Sequence, residues 1–260
     1  MTRGAWMALT LVAGVAACTR TVEPPKEQAL VVFAATSLRE PFTALARDFS
    51  QAHPGVTITF NFAGTQELRA QLLQGAVADV LASADTRSMG ELVRSGHVES
   101  PALLAKGEPV VVVSRHAAAT ITDFAALPRA GTIVIGGPEV PIGRYTAQIL
   151  ARADAKLGGS FAARVQERVV SREPNVKQVL AKVRMGEADA GVVYRSDTVG
   201  VLELSVVAIP AELNVVAEYP IAITTAPPHP AMARAFVELA RSPAGQAALQ
   251  RAGFLPQGGG

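Results

Sequence analysis

The chain is poor in the residues from which disulfide-stapled domains and structural zinc sites are built. Its 260 residues include one cysteine and four scattered histidines, so the sequence supports neither an intrachain disulfide nor a zinc ribbon. Charged residues make up only 18% of the chain and the formal net charge is +2, which argues against a nucleic-acid partner. Hydrophobic residues reach 49%, which excludes a disordered chain, and the length predicts one or two domains.

Sequence signatures of common enzymes are also missing. The chain has no G-x-S-x-G nucleophile elbow, no P-loop and no G-x-G-x-x-G dinucleotide fingerprint. Carboxylates such as Asp79, Asp85, Glu139 and Asp189 are present, but their spacing does not pair them for acid–base chemistry. We therefore expect a protein that is not an enzyme and has no catalytic residue, no cofactor and no resident metal. An exported hydrolase whose residues meet only in space stays an alternative.

The N-terminus has the pattern of an export signal. A basic start precedes an apolar run over residues 5–17, which is shorter than the roughly 20 residues that a transmembrane helix needs. The run ends in Val15-Ala16-Ala17-Cys18, a string that resembles the lipobox of bacterial lipoproteins. This resemblance implies a signal peptide over residues 1–18, a lipid anchor on Cys18 and a tether over residues 19–28. We expect an exported protein of the periplasm or cell envelope, held at a membrane by its lipid.

Short runs rich in valine and isoleucine alternate with helical patterns along the rest of the chain. Leu38, Phe42 and Leu45 fall on one face of a helix, and Ser242-Pro243 predicts the start of a last helix that Gly253 ends. Strands alternating with helices predict an α/β fold with mainly parallel sheets. The predicted strands cover residues 30–34, 56–62, 80–83, 110–114, 132–135, 190–194, 205–209 and 219–224.

Four junctions lead into predicted helices through small or polar residues. They are Thr36-Ser37, Gly64-Thr65, Pro141-Ile142 and Asn175-Val176. Serine and threonine are good N-cap residues, so we expect Ser37 and Thr65 to cap their helices. Helix N-termini present free N–H groups and the positive end of the helix dipole, and several that converge would bind an anion without any charged side chain. Taken one at a time, plain helix capping explains each junction.

These junctions belong to a longer series of short strings. In chain order the series runs Ala34-Ala35-Thr36-Ser37-Leu38, Phe62-Ala63-Gly64-Thr65, residues 75–85 ending in Ser83-Ala84-Asp85, Val140-Pro141-Ile142-Gly143-Arg144-Tyr145, residues 191–197 ending in Tyr194-Arg195-Ser196-Asp197, and Ser242-Pro243 through Gly253-Phe254. Over about residues 29–257 the series resembles the molybdate-binding proteins of bacterial ABC transporters. The resemblance implies a two-lobe periplasmic-binding-protein fold of type II with a cleft between the lobes. Lobe one would comprise residues 29–109 plus 220–257, and lobe two residues 110–219.

The resemblance also implies a function and its contacts. A member captures molybdate, or tungstate, and delivers it to an ABC permease in the membrane, and we expect it to be a monomer. The ligand contacts carried over by position are the hydroxyls of Ser37, Thr65 and Tyr194 and the backbone N–H groups of Ile142 and Val176. Thr65 stands where many members have serine, so the hydroxyl is retained beside an added methyl group. Ile142 is bulkier than the alanine often found there, but only its N–H group is used.

The identity of the ligand stays open on these grounds. The implied contacts are almost all donors, which suits a fully deprotonated tetrahedral dianion and disfavours hydrogen phosphate. Sulfate has the same charge and is excluded only by the size of the cavity. A receptor of the same architecture for sulfate, phosphate, a carboxylate or a chelated metal ion is therefore an alternative. In a carboxylate receptor Arg144 would clamp the ligand; otherwise we expect it at the surface or as a lid contact.

Overall fold

The computed structural model describes residues 28–257, together with Met1. The apolar run of the predicted signal peptide, the lipidation site at Cys18 and residues 19–27 of the tether lie outside the described residues. The predictions made for them stay predictions. Within residues 28–257 no helix is both long and apolar enough to cross a membrane.

Residues 28–257 form ten strands, eight α-helices and three short 3₁₀ turns. The strands are β1 (Gln28–Ala35), β2 (Val56–Ala63), β3 (Val80–Ala82), β4 (Ala102–Gly107), β5 (Pro109–Val113), β6 (Ile133–Gly136), β7 (Val169–Glu173), β8 (Ala190–Tyr194), β9 (Ser205–Ala208) and β10 (Ala217–Ile223). The helices are α1 (Arg39–Ala52), α2 (Thr65–Leu73), α3 (Thr86–Arg94), α4 (Pro141–Leu157), α5 (Phe161–Glu167), α6 (Val176–Arg184), α7 (Pro230–Arg241) and α8 (Pro243–Arg251). The 3₁₀ turns are Thr36–Leu38, Phe124–Arg129 and Arg195–Thr198.

The strands build two five-stranded sheets, with the orders β2-β1-β3-β10-β4 and β7-β6-β8-β5-β9. The predicted α/β fold is confirmed, but the expectation of mainly parallel sheets is corrected. Four pairings are parallel and four are antiparallel. Every antiparallel pairing involves β5 or β10, the strands that begin just after the chain has passed from one sheet to the other. Each of these strands enters its new sheet from the opposite direction.

The two sheets define the two lobes. We call lobe one the part built on the first sheet and lobe two the part built on the second. The chain passes from β4 to β5 through Glu108 and returns between β9 and β10. The lobe boundaries given by the sequence analysis, residues 29–109 with 220–257 and residues 110–219, stay a prediction.

The predicted helix faces lie in the core. In α1, Phe42, Leu45 and Phe49 are buried, and the rings of Phe42 and Phe49 pack edge-on against Phe236 of α7 at 5.4 and 5.7 Å between centroids. The fully buried ring of Phe236 thus packs against both rings of α1 and anchors α1 and α7 to each other in lobe one. This packing fixes the start of α1, which leads out of the site described below.

The predicted last helix is confirmed in detail. The Ser242 hydroxyl accepts a hydrogen bond of 3.2 Å from the N–H of Gly245, Pro243 is the first helical residue, and Gly253 follows the helix with φ of 84°. The strands β4 and β7 and the helices α3 and α5 were not predicted. Strand β4 (Ala102–Gly107) has no β-branched residue, and β7 (Val169–Glu173) is short and partly exposed, so neither carries the apolar run that marks a buried strand.

Candidate functional site

A cavity with about 230 Å³ of empty space lies between the lobes. Lobe one contributes seven lining residues and lobe two contributes six, and none of the thirteen carries a charged side chain. All five predicted contact residues are among them: Ser37, Thr65, Ile142, Val176 and Tyr194. Ser37 and Tyr194, which are 157 positions apart in sequence, thus line the same small cavity.

Ser37 lies in the 3₁₀ turn Thr36–Leu38 that connects β1 to α1. The expectation that it caps α1 is corrected, because the N-cap of α1 is Leu38 and no side chain caps that helix. The Ser37 side chain is instead 2% exposed, and its Oγ donates a hydrogen bond of 3.2 Å to Oη of Tyr219. The chain continues as a helix directly after the buried strand, so the serine faces the cavity from the end of the first sheet.

Thr65 is the first residue of α2, and the N-cap is Gly64 rather than Thr65 as predicted. Its Oγ1 accepts a hydrogen bond of 3.0 Å from the N–H of Ala84, which follows β3. Because the oxygen of this buried hydroxyl already serves as an acceptor, its hydrogen is available to a ligand. The contact also ties the start of α2 to the end of the neighbouring strand, which fixes the position of the hydroxyl.

Two helices of lobe two begin at the cavity. Helix α4 starts at Pro141, and its N-cap, Val140, has no side-chain oxygen with which to satisfy the first N–H groups. Helix α6 starts at Val176, and the side chain of its N-cap, Asn175, accepts from the N–H of Gln178 at 3.1 Å. The first N–H groups of both helices, those of Ile142 and Val176 included, therefore have no carbonyl partner one turn earlier. Their dipoles place partial positive charge at the cavity wall.

Tyr194 ends β8 and is 1% exposed. Its Oη is buried and has no hydrogen bond of good geometry, an unsatisfied state that costs stability unless a ligand relieves it. Burial, with the nearby Tyr219 as a smaller cause, raises the pKa of Tyr194 well above its usual range. The phenol therefore stays protonated at physiological pH and can only act as a donor towards an anion.

Polar side chains cross from one lobe to the other around this cavity. Asp85, at the N-cap of α3, forms an ion pair with Arg144 of α4, and their side chains are 5% and 17% exposed. The Gln66 side chain donates to the carbonyl of Pro174 at 2.7 Å. Lys177 lies 3.1 Å from each carboxylate oxygen of Glu40. Arg144 is therefore not a free surface arginine, because its guanidinium bridges the lobes and also donates to the carbonyl of Glu139.

Asp197 lies directly behind Tyr194. Its Oδ2 accepts a hydrogen bond of 3.1 Å from the N–H of Tyr194, and its Oδ1 lies 3.3 Å from Lys177 Nζ. The carboxylate is fully buried, and this burial raises its pKa to about 6 although Lys177 pulls in the other direction. Lys177 thus connects Asp197 in lobe two with Glu40 in lobe one.

Sequence reasoning missed the roles of Asp85, Asp197 and Tyr219. A signal for Tyr219 exists in the composition, since the chain has only three tyrosines and all of them meet here. The rings of Tyr145 and Tyr219 lie 6.4 and 5.6 Å from that of Tyr194. The described residues contain no cluster of three or more histidine, cysteine, aspartate or glutamate side chains suited to hold a metal ion.

Comparison with known proteins identifies the family. The sequence profile described as bacterial extracellular solute-binding protein matches residues 30–255. The chain belongs to this family. Among its relatives, the molybdate-binding protein ModA of Mycobacterium tuberculosis strain H37Rv is 38% identical over 254 residues, which cover 94% of each chain. The Escherichia coli protein of the same name is 31% identical and covers 88% of this chain and 89% of its own.

A solved structure supports the same architecture. The periplasmic molybdate-binding protein of Azotobacter vinelandii superposes with a TM-score of 0.76 at 25% identity, covering 88% of this chain and all of that one. The predicted α/β fold of a two-lobe solute-binding protein is therefore confirmed. The relatives are solute-binding proteins and not enzymes, so the cavity between the lobes is a candidate binding site rather than a candidate centre of catalysis.

Proposed function

We propose that this solute-binding protein captures molybdate, with tungstate as an alternative ligand, and delivers it to an ABC permease. The observation that carries the proposal is the charge-free cavity between the lobes, where the three hydroxyls and two helix-start N–H groups expected of a molybdate site meet. The relatives named molybdate-binding protein, at 38% and 31% identity along nearly the whole chain, support the same ligand.

The donor set explains how an anion would close the lobes. Ser37 and Thr65 approach from lobe one, whereas Ile142, Val176 and Tyr194 approach from lobe two. An anion that accepts hydrogen bonds from both groups binds the closed form better than the open form, which is the differential affinity that a population shift requires. The closed form would then be the one that docks on the permease.

The negative charge of the anion would be balanced by helix dipoles and hydroxyl groups alone, without a charged side chain. None of the lining residues carries a carboxylate, so hydrogen phosphate would find no acceptor for its proton and should bind poorly. Sulfate matches the donors, and the selectivity against it would rest on the longer bonds of molybdate in a chamber of fixed size. The alternative of a carboxylate ligand requires Arg144 to bind that ligand. This is disfavoured, because Arg144 already pairs with Asp85 and donates to the Glu139 carbonyl.

The proposal includes the cellular setting. A lipid on Cys18 and a tether over residues 19–28 would hold the protein at the membrane that carries the permease. Mass spectrometry of the membrane fraction tests this part by itself, because diacylated Cys18 at the N-terminus is expected. An unprocessed chain, or one cleaved elsewhere, would contradict the anchor but leave the ligand proposal standing.

Thermal unfolding of residues 19–260 tests the ligand, since residues 28–257 already contain both sheets and the whole cavity. Ligand at about 100 times its dissociation constant adds about 2.7 kcal/mol to the free energy of unfolding, or roughly 5–10 °C in midpoint for a chain of this size. Molybdate and tungstate should give this shift, sulfate a smaller one, and phosphate and citrate none. A shift with citrate alone would replace the oxyanion by an organic acid.

A further inference from the structure

Tyr219 lies behind the cavity without lining it. It belongs to β10 in lobe one, and its Oη lies 3.2 Å from Ser37 Oγ of the same lobe. Its ring meets that of Tyr194, from lobe two, edge-on at 5.6 Å. Both tyrosines are fully buried.

Packing holds the Tyr219 ring in one place. The ring of Phe254 contacts it edge-on at 5.1 Å, and a Cβ atom at Gly107 would lie 2.8 Å from its Cε2. Gly107 ends β4, where the chain leaves lobe one, and its missing side chain makes room for the ring. The hydroxyl is therefore fixed by its surroundings and does not depend on the Ser37 contact for its position.

Ser37 Oγ and Tyr219 Oη are 3.2 Å apart, and each of these hydroxyls carries one hydrogen that it can donate to the other. To donate to an anion, Ser37 must direct its hydrogen into the cavity. Its oxygen then faces the Tyr219 hydroxyl as an acceptor, and Tyr219 can donate to it.

We propose that Tyr219 is a positioning residue of the anion site, which donates its hydrogen to Ser37 Oγ when the anion binds. The resulting chain runs from the Tyr219 O–H to Ser37 Oγ and from the Ser37 O–H to the anion, and each bond polarises the next. Tyr194, whose Oη lacks a well-formed hydrogen-bond partner, donates its hydrogen directly to the anion. This inference rests on the proposed oxyanion function and adds to it a residue outside the cavity wall.

A double-mutant cycle on residues 19–260 tests the proposal, with molybdate titrations followed by calorimetry. Tyr219→Phe keeps the ring and should raise the dissociation constant about tenfold when Ser37 is present, the loss typical of one hydrogen bond to a charged system. In the Ser37→Ala background the same substitution should change it less than about twofold, because the group through which Tyr219 acts is gone. Where binding is too weak for calorimetry, the unfolding midpoint at millimolar molybdate gives the same comparison.

Tyr145→Phe is the matched control, since its hydroxyl is approached by the backbone of Glu218 rather than by Ser37. Its effect should be equal in both backgrounds. An unchanged dissociation constant for Tyr219→Phe, or an equal loss with and without Ser37, would overturn the positioning role. Absence of molybdate binding by the unsubstituted protein would instead refute the proposed function.

Discussion

Gly64 and Pro174 belong to opposite lobes, yet a Cβ atom on Gly64 would lie 2.6 Å from the carbonyl oxygen of Pro174. The same carbonyl accepts the interlobe hydrogen bond from Gln66. Gly64 has φ of −62° and ψ of 141°, values open to any residue, so its own backbone does not require glycine. Glycine is needed because Pro174 of the other lobe and the flexible Gln66 side chain, whose Nε2 would lie 2.5 Å from the Cβ atom, occupy the space of a side chain.

Gly64→Ala should therefore act on closure and not on the fold. We expect the unliganded protein to keep its stability or to gain about 0.4–1 kcal/mol, because alanine restricts the unfolded chain. Molybdate affinity should fall at least tenfold, since the added methyl group collides with Pro174 only when the lobes meet. Calorimetric titration and thermal unfolding of the same preparations measure both effects.

Gly90→Ala provides the control for this prediction. Gly90 lies inside α3, and a Cβ there would meet only the end of the Arg94 side chain, at 3.4 Å. It should gain up to about 1 kcal/mol from helix propensity with unchanged affinity. Equal affinities for the two variants would show that Gly64 and Pro174 do not approach each other in the bound form.

The Asp85–Arg144 ion pair should stabilise the closed form. Arg144→Gln leaves the Asp85 carboxylate without its charged partner at a site that is 5% exposed, and an unpaired buried charge is costly. Because the cost arises only when the lobes come together, molybdate affinity should drop about tenfold or more. Small-angle scattering should show a larger radius of gyration for the variant at subsaturating molybdate.

Arg184→Gln is the matched control for the ion pair. Arg184 pairs with Glu203 at 2.5 Å, but both residues belong to lobe two and are about half exposed, so little stability depends on the pair. Its affinity and its scattering profile should match those of the unsubstituted protein. If both arginine variants lost affinity alike, a general effect of net charge would replace the bridge as the explanation.

Local patterns in the sequence and the family resemblance together predicted which residues line the candidate site, but not the bonds among them. Strand ends followed by helix starts place Ser37, Thr65, Ile142 and Val176 at the edges of two sheets, and the structure brings them together. Their capping roles were partly wrong. A hydroxyl near a helix start looks the same in sequence whether it caps its own helix or pairs with a distant group, as Ser37 does with Tyr219.

Contacts between the lobes were beyond the reach of the sequence. Asp85 and Arg144 are 59 positions apart and lie in strings that were recognised separately, but no local pattern shows that they face each other. Strands β4 and β7 were missed for a related reason. Their pairing partners supply the stability that their own composition lacks, which is a tertiary effect.

Tyr194→Phe should change stability and binding in opposite directions. The Tyr194 hydroxyl is buried without a well-formed hydrogen bond, so its removal should leave the unliganded protein as stable or up to about 1 kcal/mol more stable. Loss of a donor to a buried dianion should cost about 1.5–3 kcal/mol of binding free energy. Unfolding midpoints with and without molybdate would show the two effects together. A variant that loses stability while keeping its affinity would place Tyr194 in the core and not in the site.

Asp197 should make stability decline with rising pH. Burial raises its pKa in the folded state to about 6, from an ordinary value of 3.8, so between these pH values the folded protein binds more protons than the unfolded chain. The contribution of Asp197 to the free energy of unfolding is therefore fully present at low pH, and it is lost as the pH rises to about 6. Asp197→Asn keeps an acceptor for the N–H of Tyr194 and removes the titration.

Urea unfolding from pH 4 to pH 7 measures this effect as a difference between the two proteins. The unsubstituted protein should lose up to about 3 kcal/mol relative to Asp197→Asn across that range. Glu173 is a control whose effect on stability has the opposite pH dependence. Burial raises the pKa of Glu173, but hydrogen bonds from Lys182 and Ser171 outweigh burial and lower the pKa overall. Glu173 therefore stabilises the fold above its unfolded pKa, and Glu173→Gln should make the decline with pH steeper. Parallel curves for the protein and Asp197→Asn would mean that Lys177 keeps the Asp197 carboxylate charged throughout, with its pKa near the ordinary value.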